Sequence, residues 1–98
     1  MQLSAQSSNS LTGVVRDSRG VPQAGAEVEL LRPDFSVATE VFTDEHGRYR
    51  IQTILPGIYQ VKASGALFLP TLRENLRVMG GTKLVVNLTL DTLYERCV

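Results

Sequence analysis

Arg48-Tyr49-Arg50-Ile51-Gln52-Thr53, Leu55-Pro56-Gly57 and Ile58-Tyr59-Gln60-Val61-Lys62-Ala63-Ser64 decide the fold class of this 98-residue chain. In the first run Tyr49 and Ile51 share one parity, while Arg48, Arg50 and Gln52 share the other. In the second, Tyr59, Val61 and Ala63 point one way and Gln60 and Lys62 the other. Side chains alternate across a strand with a period of two, so each run reads as a half-buried strand. Between them, Pro56 presets φ at the second position of a turn and Gly57 supplies positive φ at the third. That is the signature of a type II turn.

The same pattern extends in both directions. Leu11 to Asp17 is a strand with Leu11, Gly13 and Val15 on one face. It ends at Asp17-Ser18-Arg19-Gly20, where the Asp17 carboxylate can accept backbone N–H groups and Gly20 takes positive φ. Ala26 to Leu31 places Ala26, Val28 and Leu30 inward and Glu27 and Glu29 outward. A Pro33-Asp34 turn leads to a run from Ser36 to Thr43 whose facing stays open. Asp44-Glu45-His46-Gly47 then closes a hairpin into Arg48, with Asp44 and Gly47 in the same roles as Asp17 and Gly20. Beyond Ser64, a less regular strand runs from about Leu69 to Val78, and Glu74 interrupts its parity, as a bulge or an exposed end would. Gly80-Gly81 turns into Thr82 to Leu90, with Leu84, Val86, Leu88 and Leu90 as the inner face.

Seven short strands with one apolar face each predict an all-β sandwich, because two such faces must cover each other. The inward set is about eighteen side chains, each contributing roughly 1.5–3 kcal/mol on burial. The strands occupy residues 11–90. Residues 1–10 are rich in Ser, Gln and Asn and read as a disordered leader. Ala5-Gln6-Ser7 also looks like the remnant of a processed secretory N-terminus. In residues 91–98, Thr92-Leu93-Tyr94-Glu95 has the form of a helix capping box, giving either the start of a linker helix or a frayed tail.

Composition narrows the chemistry. Ten basic residues balance ten acidic ones, which argues against a nucleic-acid clamp or a polybasic membrane anchor. No apolar stretch is long enough to span a bilayer as a helix. A single Cys excludes an internal disulfide or a multi-Cys zinc site, and a single His leaves no partner for a nucleophile–base pair. His46 reads as a solvent-facing turn residue and Cys97 as a free thiol in the tail. The two D-x-x-G segments lack the alternating oxygen ligands of an EF-hand and read as turn chemistry. Asn87-Leu88-Thr89 matches a glycosylation sequon that matters only in a eukaryotic secretory pathway. No catalytic, cofactor or metal residue is assigned. Apolar residues exceed what turns require around Phe35 and in Leu67-Phe68-Leu69-Pro70, which mark a contact surface unless they simply close the core. A sugar-binding face is the alternative, but Trp is absent and Tyr49 and Tyr59 alternate inward, leaving Phe35, Phe68 and Phe42 as platforms.

Gly13-Val14-Val15-Arg16-Asp17, Gly20-Val21-Pro22 and Gly25-Ala26-Glu27-Val28-Glu29-Leu30 resemble the opening of carboxypeptidase regulatory-like domains. Thr43-Asp44-Glu45-His46-Gly47-Arg48-Tyr49 and Leu55-Pro56-Gly57-Ile58-Tyr59-Gln60-Val61 extend the resemblance over about Leu11 to Leu90. It implies a seven-stranded antiparallel Greek-key sandwich, prealbumin-like (transthyretin-like) and also classed as carbohydrate-binding-like. It further implies a non-catalytic accessory module of an exported bacterial protein in the periplasm, outer membrane or cell surface. Such a module needs no cofactor, and its partner is another domain of the same chain, a second protein or a glycan. No zinc-ligand motif of the peptidase domain itself can be matched. The isopeptide chemistry of related pilin repeats is also unmatched, since the first strand has no Lys and Lys62 and Lys83 alternate outward.

Overall fold

The computed structural model describes residues 9–92. They form nine strands: β1 (Asn9–Asp17), β2 (Glu27–Leu31), β3 (Val37–Phe42), β4 (Arg48–Ile54), β5 (Gly57–Ser64), β6 (Phe68–Leu69), β7 (Thr71–Val78), β8 (Lys83–Val85) and β9 (Leu88–Thr92). One sheet has the order β4-β1-β9-β6, with β8 also on β1, and the other the order β3-β2-β5-β7. The two sheets enclose one core of Leu11, Val15, Val28, Leu30, Tyr49, Ile51, Val61, Ala63, Leu88 and Leu90, among others. These are the inward parities of the alternating runs, so the all-β sandwich follows directly from period-two patterning.

Nine strands replace seven because two runs are interrupted. Pro70 cannot donate to a ladder, and it divides the run beginning near Leu69. β6 pairs with β9 in the first sheet and β7 with β5 in the second. Val86 and Asn87 likewise separate β8 from β9, although both keep one register on β1, Leu11 opposite Leu84 and Val15 opposite Leu88. That pairing is parallel, which corrects the expectation of a wholly antiparallel sandwich. The bulge anticipated at Glu74 is present. Tyr59 opposes Leu76 while Val61 opposes Arg73, leaving an extra residue in β7, and Asn75 has φ 59°.

Three further expectations are corrected. Asp44–Gly47 forms the local turn but not a hairpin, since β3 and β4 lie in different sheets. Leu55-Pro56-Gly57 makes no type II turn. Gly57, with φ 159°, already belongs to β5 opposite Val78, far from the conformation the third turn position requires. Strand β1 begins two residues before Leu11, and residues 1–8 of the expected leader lie outside the described residues. Asn9 is buried and donates from Nδ2 to the Ile54 carbonyl (2.7 Å), while its Oδ1 accepts from the Thr82 N–H (3.0 Å). At the other end, Asp91 and Thr92 continue β9, and the rest of the capping-box segment, with Cys97, lies outside the described residues.

Candidate interaction surface

Among the described residues, the β2–β3 connection is the one hairpin between consecutive, paired strands within a sheet. Its turn is closed by the Phe35 N–H donating to the Arg32 carbonyl (2.8 Å) and the Arg32 N–H donating to the Ser36 carbonyl (2.9 Å). Asp34 Oδ1 accepts from both the N–H (3.0 Å) and the hydroxyl (2.7 Å) of Ser36. The Ser36 hydroxyl, then its N–H, holds the Asp34 carboxyl below its ordinary pKa. The consequence falls on Phe35. The turn forces it into the left-handed region at φ 69°, where an L side chain with a Cβ costs about 1 kcal/mol or more. The residue is nevertheless 59% exposed.

From this tip a shallow groove of about 420 Å³ crosses the outer face of the second sheet, between Leu31, Phe35, Val37, Pro70 and Leu72. Glu29 and Lys62, opposite each other in the β2–β5 ladder, line it as well. Leu31 is buried although its neighbour Leu30 is also buried. Leu30 faces the core, while Leu31 lies on the outer face among the residues that line the groove. Strict alternation does not anticipate this. Gln60 also departs from expectation. It points outward, yet it is buried, donating weakly to the Pro33 carbonyl (3.5 Å) while its Oε1 has no partner.

The other apolar residues singled out in the sequence sit elsewhere. Leu67 is exposed and, with Phe68, lines a hollow of about 270 Å³ beside Gln23–Ala26, whereas Phe68 also packs against the core. Leu69 is half-buried in β6 opposite Asp91. Of the five, Phe35 and Pro70 share the groove on the second sheet, and Leu67 and Phe68 share the hollow. A third apolar region was not legible at all. Leu55, Ile58 and Met79 are exposed, and Pro56, Ile58, Arg77 and Met79 line a groove of about 620 Å³. Their sequence context read only as turns, and nothing in it signals that two turns from different strands converge.

Polar residues make turns and ladders. Asp17 Oδ1 accepts the N–H groups of Arg19 and Val21 (both 2.9 Å), and Asp44 Oδ1 those of His46 (2.8 Å) and Arg48 (2.9 Å). Those bonds, with the Arg48 N–H foremost, lower the Asp44 pKa. Gly20 and Gly47 take positive φ, as the turns require. His46 is exposed, its Nε2 3.9 Å from Glu45 Oε1, an arrangement with no nucleophile to activate. The sequence did not flag Glu27, Glu29 and Glu40, whose carboxylate oxygens lie within 4.8 Å of one another. The Glu29–Glu40 pairing across β2 and β3 brings them together, which only register reveals. Tyr49 and Tyr59 are buried, donating to the Val86 (2.6 Å) and Leu55 (2.7 Å) carbonyls, so neither offers a sugar platform.

Two sheets, one core and polar residues committed to turns define a small β-sandwich module. Residues 10–91 match the model of the carboxypeptidase regulatory-like domain, and the chain belongs to that family. No curated protein matches it. Among solved structures, the fold is similar to the Bacillus anthracis TIE protein, at TM-score 0.70 and 22% identity over 89% of this chain and 17% of that one. It is similar to BcpA, the major pilin subunit of Bacillus cereus, at TM-score 0.68 and 20% identity over 85% and 28%. A chlorocatechol dioxygenase of Rhodococcus opacus shares it at TM-score 0.68 and 12% identity over 91% and 61%. The chain thus spans between about a sixth and three fifths of these structures, and at such identities the likeness is one of fold.

Proposed function

We propose that this chain is a non-catalytic accessory module of a longer, exported bacterial protein, working through contacts with a neighbouring domain or protein. The observation that carries this reading is Phe35. An aromatic residue stands 59% exposed, in a backbone conformation that disfavours it, at the lip of an apolar groove. A turn under selection for stability alone would place Gly or Asn there. Strain of this kind points from the outlier towards recognition. Family membership supports the reading, as does the use of the same fold in a pilin subunit.

Hydrogen exchange on the natural longer protein, compared with this chain alone, tests it. Residues 32–37 and 70–72 gain protection in the longer protein, and Phe35→Asn removes the gain while leaving the isolated module folded. Unchanged protection in both segments overturns the reading. A response of the isolated module to oligosaccharides, lost in Phe35→Asn, would replace it with the sugar-binding alternative.

A further inference from the structure

We propose that this module is a tension-bearing link, with β1 and the β8–β9 strands forming a shear clamp between its two chain ends. The proposal rests on the reading above that the module sits within a longer chain. The first and last strands are direct neighbours, and they run parallel at a constant offset from Ser10 opposite Lys83 to Asp17 opposite Leu90. The chain therefore enters β1 at one end of the sandwich and leaves β9 at the other. A pull on the two ends drives β1 and β8–β9 past each other along their length. The bonds between them lie across that direction and are loaded together. Antiparallel neighbours pulled from one end would instead open one bond at a time.

The seam is reinforced where the ladder is interrupted. The Ser10 N–H donates to the Thr82 carbonyl (3.0 Å), and the Val86 N–H to the Thr12 carbonyl (2.8 Å). At the break, Asn87 Oδ1 takes the place of a main-chain carbonyl and accepts the Val14 N–H (3.0 Å). The Val86 carbonyl sits directly over Gly13, so close that a Cβ there would lie 1.8 Å from the oxygen. The next inward side chains along β1, Leu11 and Val15, are fully buried and leave no such notch. The carbonyl is thus keyed against sliding in either direction, and the Tyr49 hydroxyl, from β4, holds it from a second strand.

Single-molecule force spectroscopy on tandem copies joined end to end tests the clamp. The comparison geometry pulls through Arg19→Cys and Glu45→Cys in a Cys97→Ser background. Those sites are exposed turns at one end of the sandwich, where β1 and β4 are antiparallel and unzip. Unfolding force is severalfold higher end to end than through this pair. Asn87→Ala lowers the end-to-end force and leaves the other geometry unchanged, and Tyr49→Phe, folded by circular dichroism, also lowers the end-to-end force. Equal forces in the two geometries, or an end-to-end force that neither variant lowers, overturn the clamp. Neither result touches the hydrogen-exchange test, so the two readings fail separately.

Discussion

Gly13 and Tyr49 meet at the Val86 carbonyl, and each is bound there by a different physical demand. A Cβ at position 13 would lie 1.8 Å from that oxygen and 2.9 Å from Tyr49 Cε2, so Gly13→Ala displaces backbone, not a flexible side-chain end. Forced displacement of packed groups costs about 1–3 kcal/mol and occasionally more. Gly13→Ala therefore lowers the unfolding free energy, read from urea denaturation, by an amount at or above the top of that range. Tyr49→Phe leaves the carbonyl without its hydroxyl partner and costs about 1–2 kcal/mol in the same measurement. Burial pushes the Tyr49 phenol well above its ordinary value of 10.0, an effect that Arg73 only partly offsets. Below pH 10 both states hold the proton and stability is unaffected. Above it the unfolded chain ionises first, so stability falls by up to about 1.4 kcal/mol per pH unit. The parent protein accordingly loses stability more steeply between pH 10 and 11 than Tyr49→Phe does.

Among the elements, the turns separate what local chemistry dictates from what the sheets dictate. Asp17 and Asp44 each gather two N–H groups, and this D-x-x-G logic was fully readable from residue types. The strands that such a turn joins were not readable. The bonds around Asp44 are satisfied within Asp44–Arg48, so they are indifferent to whether β3 pairs with β4 or crosses to the other sheet. Because the folded Asp44 has a lowered pKa, its stabilising effect is complete above the unfolded carboxyl's ordinary value of 3.8. It disappears as pH falls through the folded value. Asp44→Ala is therefore less stable than the parent at pH 7, and the gap closes in acid, which thermal melts across that range will show. For the contact surface, composition flagged Phe35 and Pro70 individually. The groove between them exists because β3-β2-β5-β7 brings the hairpin tip beside β7, and the convergence of Pro56, Ile58 and Met79 depends on the same pairing.

At the scale of the whole molecule, the central pairing joins residues more than seventy positions apart in sequence, since Leu11 opposes Leu84. Such non-local contacts require long loops to close before any pairing gain arrives, so sandwiches of this kind fold in milliseconds to seconds. Stopped-flow refolding should fall within that range. Leu90→Ala, in the buried middle of the last strand, removes about 2–5 kcal/mol of stability. Period-two alternation by itself determined that this chain is a β-sandwich and most of the side chains that enter its core, and the Asp and Gly residue types located its turns. Those properties depend on neighbours a few residues apart. The tertiary structure alone decided the parallel seating of β8–β9 on β1, the division of the run at Pro70 between two sheets, and the gathering of exposed apolar side chains into grooves. Strand order and register arise from contacts between distant segments, and an alternating pattern is equally satisfied by any partner that covers its apolar face.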